Sequence, residues 1–99
     1  AAPLVTGSVL ELEILGTFVL EGREIFTAKI VLDSNCALVG SPISDLAARH
    51  KLMVLSHKVP DQTARFNPPD TQTLAAGDTL VLHGELPDLR RLAKLTRAR

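Results

Sequence analysis

Cys36, Ser41, His50, His57 and His83 are the side chains of this 99-residue chain from which a nucleophile and its base could be assembled. Their spacing does not assemble them. Cys36 has no base close to it in sequence, and no serine sits in a Gly-x-Ser-x-Gly elbow. Ser41, directly before Pro42, reads as a helix cap. A metal could in principle be held by His57, His83 and an acid, since both histidines end apolar runs. However, neither H-x-H nor H-E-x-x-H spacing occurs. A lone histidine at a strand end is more often a hydrogen-bonded structural residue. No glycine-rich run precedes a helix, which excludes a phosphate loop. The chain therefore reads as a non-enzyme without a cofactor.

The elements that would position these residues follow from periodicity. Val9 to Leu15 alternates, with Leu10, Leu12 and Ile14 on one side and Glu11 and Glu13 on the other, ahead of Gly16. Glu24 to Leu32 alternates again, placing Phe26, Ala28, Ile30 and Leu32 on one face. Ile43, Leu46, Ala47 and His50 then recur at helical spacing behind the Ser41–Pro42 start. Leu52 to Val59 is apolar on both sides, Leu52 and Val54 against Met53, Leu55 and Val59, so this strand wants cover on two faces. Pro60 to Gln62 forms a turn, Thr63 to Phe66 a short return strand, and "NPPD" a stiff connector. Gly77 makes a tight turn, Thr79 to His83 is the last strand, and Pro87 to Leu95 is a closing helix with Leu89, Leu92 and Ala93 inward.

Length and composition set the outer limits. The chain makes one domain, with 45% hydrophobic residues but only 3% aromatic and no Trp or Tyr, so stacking on bases has little to use. Five of the eleven basic residues fall in the last ten positions, leaving six against eleven acidic residues in the first 89. Cations late in a helix complement its dipole, so this basic tail reads as a solvated surface rather than a nucleic-acid contact. Paired helices of the helix-turn-helix kind are missing from the pattern, and no nucleic-acid partner is expected. A single cysteine forms no internal disulfide, which suits a reducing compartment. No apolar run approaches the roughly 20 residues needed to span a bilayer, and "AAPLVTGS" lacks the features of a signal peptide. The start without Met reads as a segment of a longer, cytoplasmic protein.

The stretches "ALVGSPISDLAARHKLMVLSHKV" and "FNPPDTQTLAAGDTLVLHGELPDLRRL" add a further signal. Leu74, Gly77, Asp78, Leu80 and Gly84 form a Leu-x-x-Gly-Asp-x-Leu-x-x-x-Gly run followed by a Pro-Asp-Leu helix start, and Leu38, Val39 and Gly40 lead into the helix that carries Leu46. In this order the two pieces resemble the TrkA-C domain, the C-terminal lobe of regulator-of-potassium-conductance (RCK) modules. The likeness covers residues 23–95, with 1–22 as an extension bearing an extra strand and 96–99 as a basic tail. It implies an α+β fold, a small mixed β-sheet with two short helices, in which Gly40, Gly77, Asp78 and Gly84 are structural.

By the same resemblance the chain is a non-catalytic regulatory homodimer on the cytoplasmic face of a potassium or other cation channel or transporter. Some relatives bind cyclic di-AMP between two copies. His57, Arg65, Asn67 and Pro68 would then line such a cleft, Arg65 gripping phosphate and Asn67 a base edge. Pro60 and Asp61 stand at a turn where glycine is common in the family. The competing readings are a purely structural interaction domain and a small metal-binding β-rich enzyme using His57 and His83.

Overall fold

A computed structural model describes residues 12–97. Their order is β1 (Leu12–Leu20), β2 (Arg23–Val31), α1 (Ser44–His50), β3 (Met53–Lys58), β4 (Arg65–Phe66), β5 (Thr79–Gly84) and α2 (Leu86–Arg97). The strands form a five-stranded sheet in the order β1-β2-β5-β3-β4. All four pairings are antiparallel. β2 and β3 thus run the same way on either side of β5, and the chain needs the α1 crossover to connect them.

Alternation decides which face is buried. Ala28, Ile30, Leu80 and Leu82 stand opposite one another across β2 and β5 and are fully buried. Leu46 of α1 and Leu89 and Leu92 of α2 pack onto the same cluster, so both helices cover one face of the sheet. The structure is two layers with one core. The inward sets expected for β2 and α2 are those observed, and Arg90, Arg91 and Lys94 lie outside. At Gly84 a Cβ would lie 2.3 Å from a methyl of Leu52, so any larger residue would have to push that buried side chain aside.

Several boundaries differ from the sequence reading. The first strand does not stop at Gly16. It continues to Leu20 with an extra residue, Leu15, bulged between Ile14 and Gly16, and turns through Glu21 and Gly22, both at positive φ. Val9, Leu10 and Glu11 of the expected strand lie outside the described residues. Helix α1 starts at Ser44 and has no side-chain cap. Its entering N–H groups are taken instead by backbone carbonyls of the "NPPDTQT" loop, Ile43 by Gln72 (2.8 Å) and Ser44 by Asp70 (3.0 Å). With those donors satisfied, the Ser41 hydroxyl is not needed as a cap. Ala47, expected inward, is exposed, whereas Ile43 and Leu46 are buried. The helix closes as Lys51 takes the left-handed conformation and the Leu52 N–H reaches back to the Leu46 carbonyl at 3.0 Å. Helix α2 continues past Leu95 to Arg97.

Candidate functional site

The largest change from regular alternation is in β3. Val54 stands opposite Leu82 but Ser56 stands opposite Val81, so Leu55 is an extra, bulged residue whose carbonyl accepts the Asn67 N–H at 2.9 Å. Unbroken alternation would put His57 on the outer face beside Met53. The bulge turns it to the core face, opposite Leu80, where it is only 4% exposed. Met53 stays on the outer face, 62% exposed.

There His57 meets Asp78. Its Nε2 lies 2.7 Å from Asp78 Oδ2, which also accepts the Ala75 N–H at 3.0 Å. Asp78 is 1% exposed, and its other oxygen, Oδ1, has no protein partner. The length is that of a charge-assisted hydrogen bond in a low-dielectric setting, where such contacts are strong and costly to break. The Asp78 carboxylate thus closes its own turn, and the same oxygen also holds His57. Gly77 takes φ 89°, and a Cβ there would come within 3.2 Å of Pro60 Cγ. The Gly-Asp turn therefore rests directly against the loop that follows β3.

That loop and β4 enclose a cleft of about 480 Å³ lined by His57, Val59, Gln62, Thr63, Arg65 and Gln72 among others. Arg65 stands opposite His57 in the β3–β4 pair and is exposed. Its guanidinium is the permanently charged group among the lining residues, and no carboxylate is among them. A polar cleft with one cation, two side-chain amides and a hydroxyl suits an anionic, hydrogen-bonding ligand.

The four residues expected to share one ligand site divide into two pairs. His57 and Arg65 line the cleft. Asn67 and Pro68 line a separate recess of about 240 Å³ beside Ile43 and Ala47 of the α1 region. Asn67 sits at φ 53° and Pro68 is buried, so the Asn-Pro pair turns the chain from β4 back under α1. Gln62 and Gln72 were missed by the sequence reading, and only the turn at Pro60 pointed toward them. Asp61 itself adopts φ 68°, a backbone that glycine would take without strain.

His57 and His83 do not converge. His57 faces the core side with Leu80, whereas His83 lies on the outer face opposite Met53 and makes an edge contact with the Phe18 ring, centroids 5.0 Å apart. No group of three His, Cys, Asp or Glu side chains able to hold a metal exists among the described residues. The metal-site reading therefore loses its geometry.

The motif residues quoted from the sequence are joined in space. The Gly40 N–H donates to the Leu74 carbonyl (2.8 Å) and the Leu74 N–H to the Ser41 carbonyl (2.9 Å), so the turn before α1 and the turn before β5 are stitched together. The Leu32 N–H donates to the Asp78 carbonyl (2.9 Å) and the Gly77 N–H to the Leu32 carbonyl (2.8 Å), which adds the end of β2.

This is the architecture of an RCK C-terminal lobe: a split strand-helix-strand unit with a Gly-Asp turn at its centre. The family model described as the TrkA-C domain matches residues 28–97, and the chain belongs to that family. Among solved structures it is similar to the crystal structure of the GsuK RCK domain (TM-score 0.60, 22% identity, 76% of this chain and 17% of that one). It is also similar to the GsuK channel bound to NAD (0.60, 22%, covering 76% and 14%) and to the GsuK channel (0.58, 24%, covering 80% and 14%). At this identity the likeness concerns the fold, and the chain spans under a fifth of the length of each of these proteins. A search of curated proteins found no match. No described helix is long and apolar enough to cross a membrane.

Proposed function

We propose that this chain is a non-catalytic regulatory domain of a potassium or other cation channel or transporter, working as a homodimer on the cytoplasmic side of the membrane. Its membership of the TrkA-C family over residues 28–97 carries this reading. The ligand version assigns a small anionic effector, such as a cyclic dinucleotide, to the cleft between β3, β4 and the loop after β3. Arg65 would hold a phosphate by forked hydrogen bonds, with Gln62 and Gln72 within the same wall. Asn67 and Pro68, in their separate recess, belong to the support of α1 in this reading rather than to effector contact.

Regulation then follows from linkage. An effector shifts the dimer only by the difference between its affinities for the two arrangements, and covalent connection passes that shift to the membrane part. Titration calorimetry with cyclic di-AMP and a panel of nucleotides, beside the Arg65→Ala variant, tests the ligand version. Binding that weakens at least tenfold in the variant is the expected result. No heat from any nucleotide leaves an assembly module without an effector.

A further inference from the structure

We propose that the free edge of β1 is a docking surface for β1 of a second copy of this chain, the two strands pairing antiparallel so that the two sheets become one. This rests on the homodimer reading above and assigns it a surface.

Among the described residues β1 pairs on one side only, with β2, so its other edge presents backbone N–H and C=O groups that no described strand takes. Among the described residues nine large hydrophobic side chains are exposed, and five of them, Ile14, Leu15, Phe18, Val19 and Leu20, belong to this strand. Proteins usually blunt such an edge with lysine or proline. Leu12 to Leu20 contains neither, and its one charge, Glu13, stands opposite Lys29 of the same chain. The bulge at Leu15 interrupts the ladder, but Gly16 to Leu20 pairs regularly with β2, leaving an extended segment whose outer edge no other described strand takes. Phe18 is held against His83, which fixes the strand in place.

An unpaired strand edge selects an extended backbone as its occupant. The charge pattern selects a second copy. From Ile14 to Leu20 there is no acid or base, so the strand meets its own antiparallel image without like-charge contact, and it offers nothing to a charged peptide. A two-fold axis makes such a pairing closed rather than fibrous. The hairpin also begins before the family match at residue 28, so this surface is additional to what the shared domain provides. Fewer residues take part than the roughly 20–30 per side of a standard interface, so the expected association is concentration-dependent, in the micromolar range.

The test is sedimentation velocity on the full 99-residue chain across a concentration series, comparing the wild type with Leu15→Lys/Val19→Lys and with Val39→Lys, an exposed apolar position away from the edge. The expected result is a dimer whose dissociation constant rises at least tenfold in the edge variant and stays unchanged in the control. A dimer indifferent to the edge lysines overturns the surface and leaves the homodimer reading standing. A monomer at all concentrations overturns both. Should the double variant misfold by circular dichroism, Thr17→Cys supplies the second readout: it is expected to form an intermolecular disulfide on mild oxidation, whereas Glu21→Cys in the turn is not. Equal cross-linking of the two overturns the proposal. So does β1 amide protection, followed by hydrogen exchange, that persists unchanged on dilution, because the chain would then be covering its own edge.

Discussion

The helix-covered face of the sheet and the β1 hairpin strand are both apolar in sequence, yet they have opposite fates. Ala28, Ile30, Leu80 and Leu82 disappear under α1 and α2, while Leu15, Val19 and Leu20, equally hydrophobic, remain more than half exposed. Hydrophobicity alone does not bury a residue; a second layer does. The helices pack mainly on β3 and β2, and of β1, at the sheet's edge, only Leu12 joins the core.

The contrast can be broken most sharply by truncation. Leu82→Ala is expected to lower the free energy of unfolding by about 2–5 kcal/mol, because the cavity opens in a closed core. Val19→Ala, on the exposed edge, is expected to change the monomer's stability by no more than about 0.5 kcal/mol. Urea denaturation at low protein concentration measures both, and equal losses would mean the edge is packed after all.

Asp78→Ala tests whether the roofed side depends on its buried polar pair as well as on its leucines. The variant strips the partner from the buried His57 and from the part-buried Ala75 N–H, with an expected cost of about 3 kcal/mol in the same assay. A loss under about 0.5 kcal/mol would show that the turn closes without the carboxylate.

The smallest expected effect concerns Cys36, on the roofed side. Burial pushes its thiol pKa up, and the nearby Asp33 carboxylate adds to the shift, while the Leu38 and Val39 N–H groups oppose it. A raised value in the folded state means that the associated stability is fully present below the unfolded thiol's value of about 8.5 and is lost as pH climbs through the folded value. The chain has no tyrosine to titrate in that range. A shallow alkaline decline in stability that disappears in Cys36→Ala is the expected outcome, and an identical decline in both would assign it elsewhere.

Much of the architecture was readable from residue order. Strict alternation in β2 and β5, and the Leu89, Leu92, Ala93 spacing in α2, name the core because each element has a single buried face. The site was less legible, for two physical reasons. A bulge adds one residue without any compositional mark, so nothing in "LMVLSHKV" announces that Leu55 is skipped and that His57 faces inward. Backbone donors at the start of α1 can be satisfied by distant carbonyls, those of Asp70 and Gln72, as well as by a neighbouring hydroxyl, and local sequence favours the hydroxyl. The grouping of Arg65 with Asn67 failed for a related reason. Two residues apart in an extended chain, they are separated by the left-handed turn at Asn67.

The bulge at Leu55 also acts as a phase shifter. Removing that one residue would leave Val54, Ser56 and His57 opposite Leu82, Val81 and Leu80 in unbroken alternation, with the imidazole still on the core face. Pairing Leu55 into the ladder instead would invert the facing of everything downstream in the strand without changing its apolar content. Histidine and aspartate can meet beneath the sheet because the one residue β3 has beyond its partner's count is held out of the ladder.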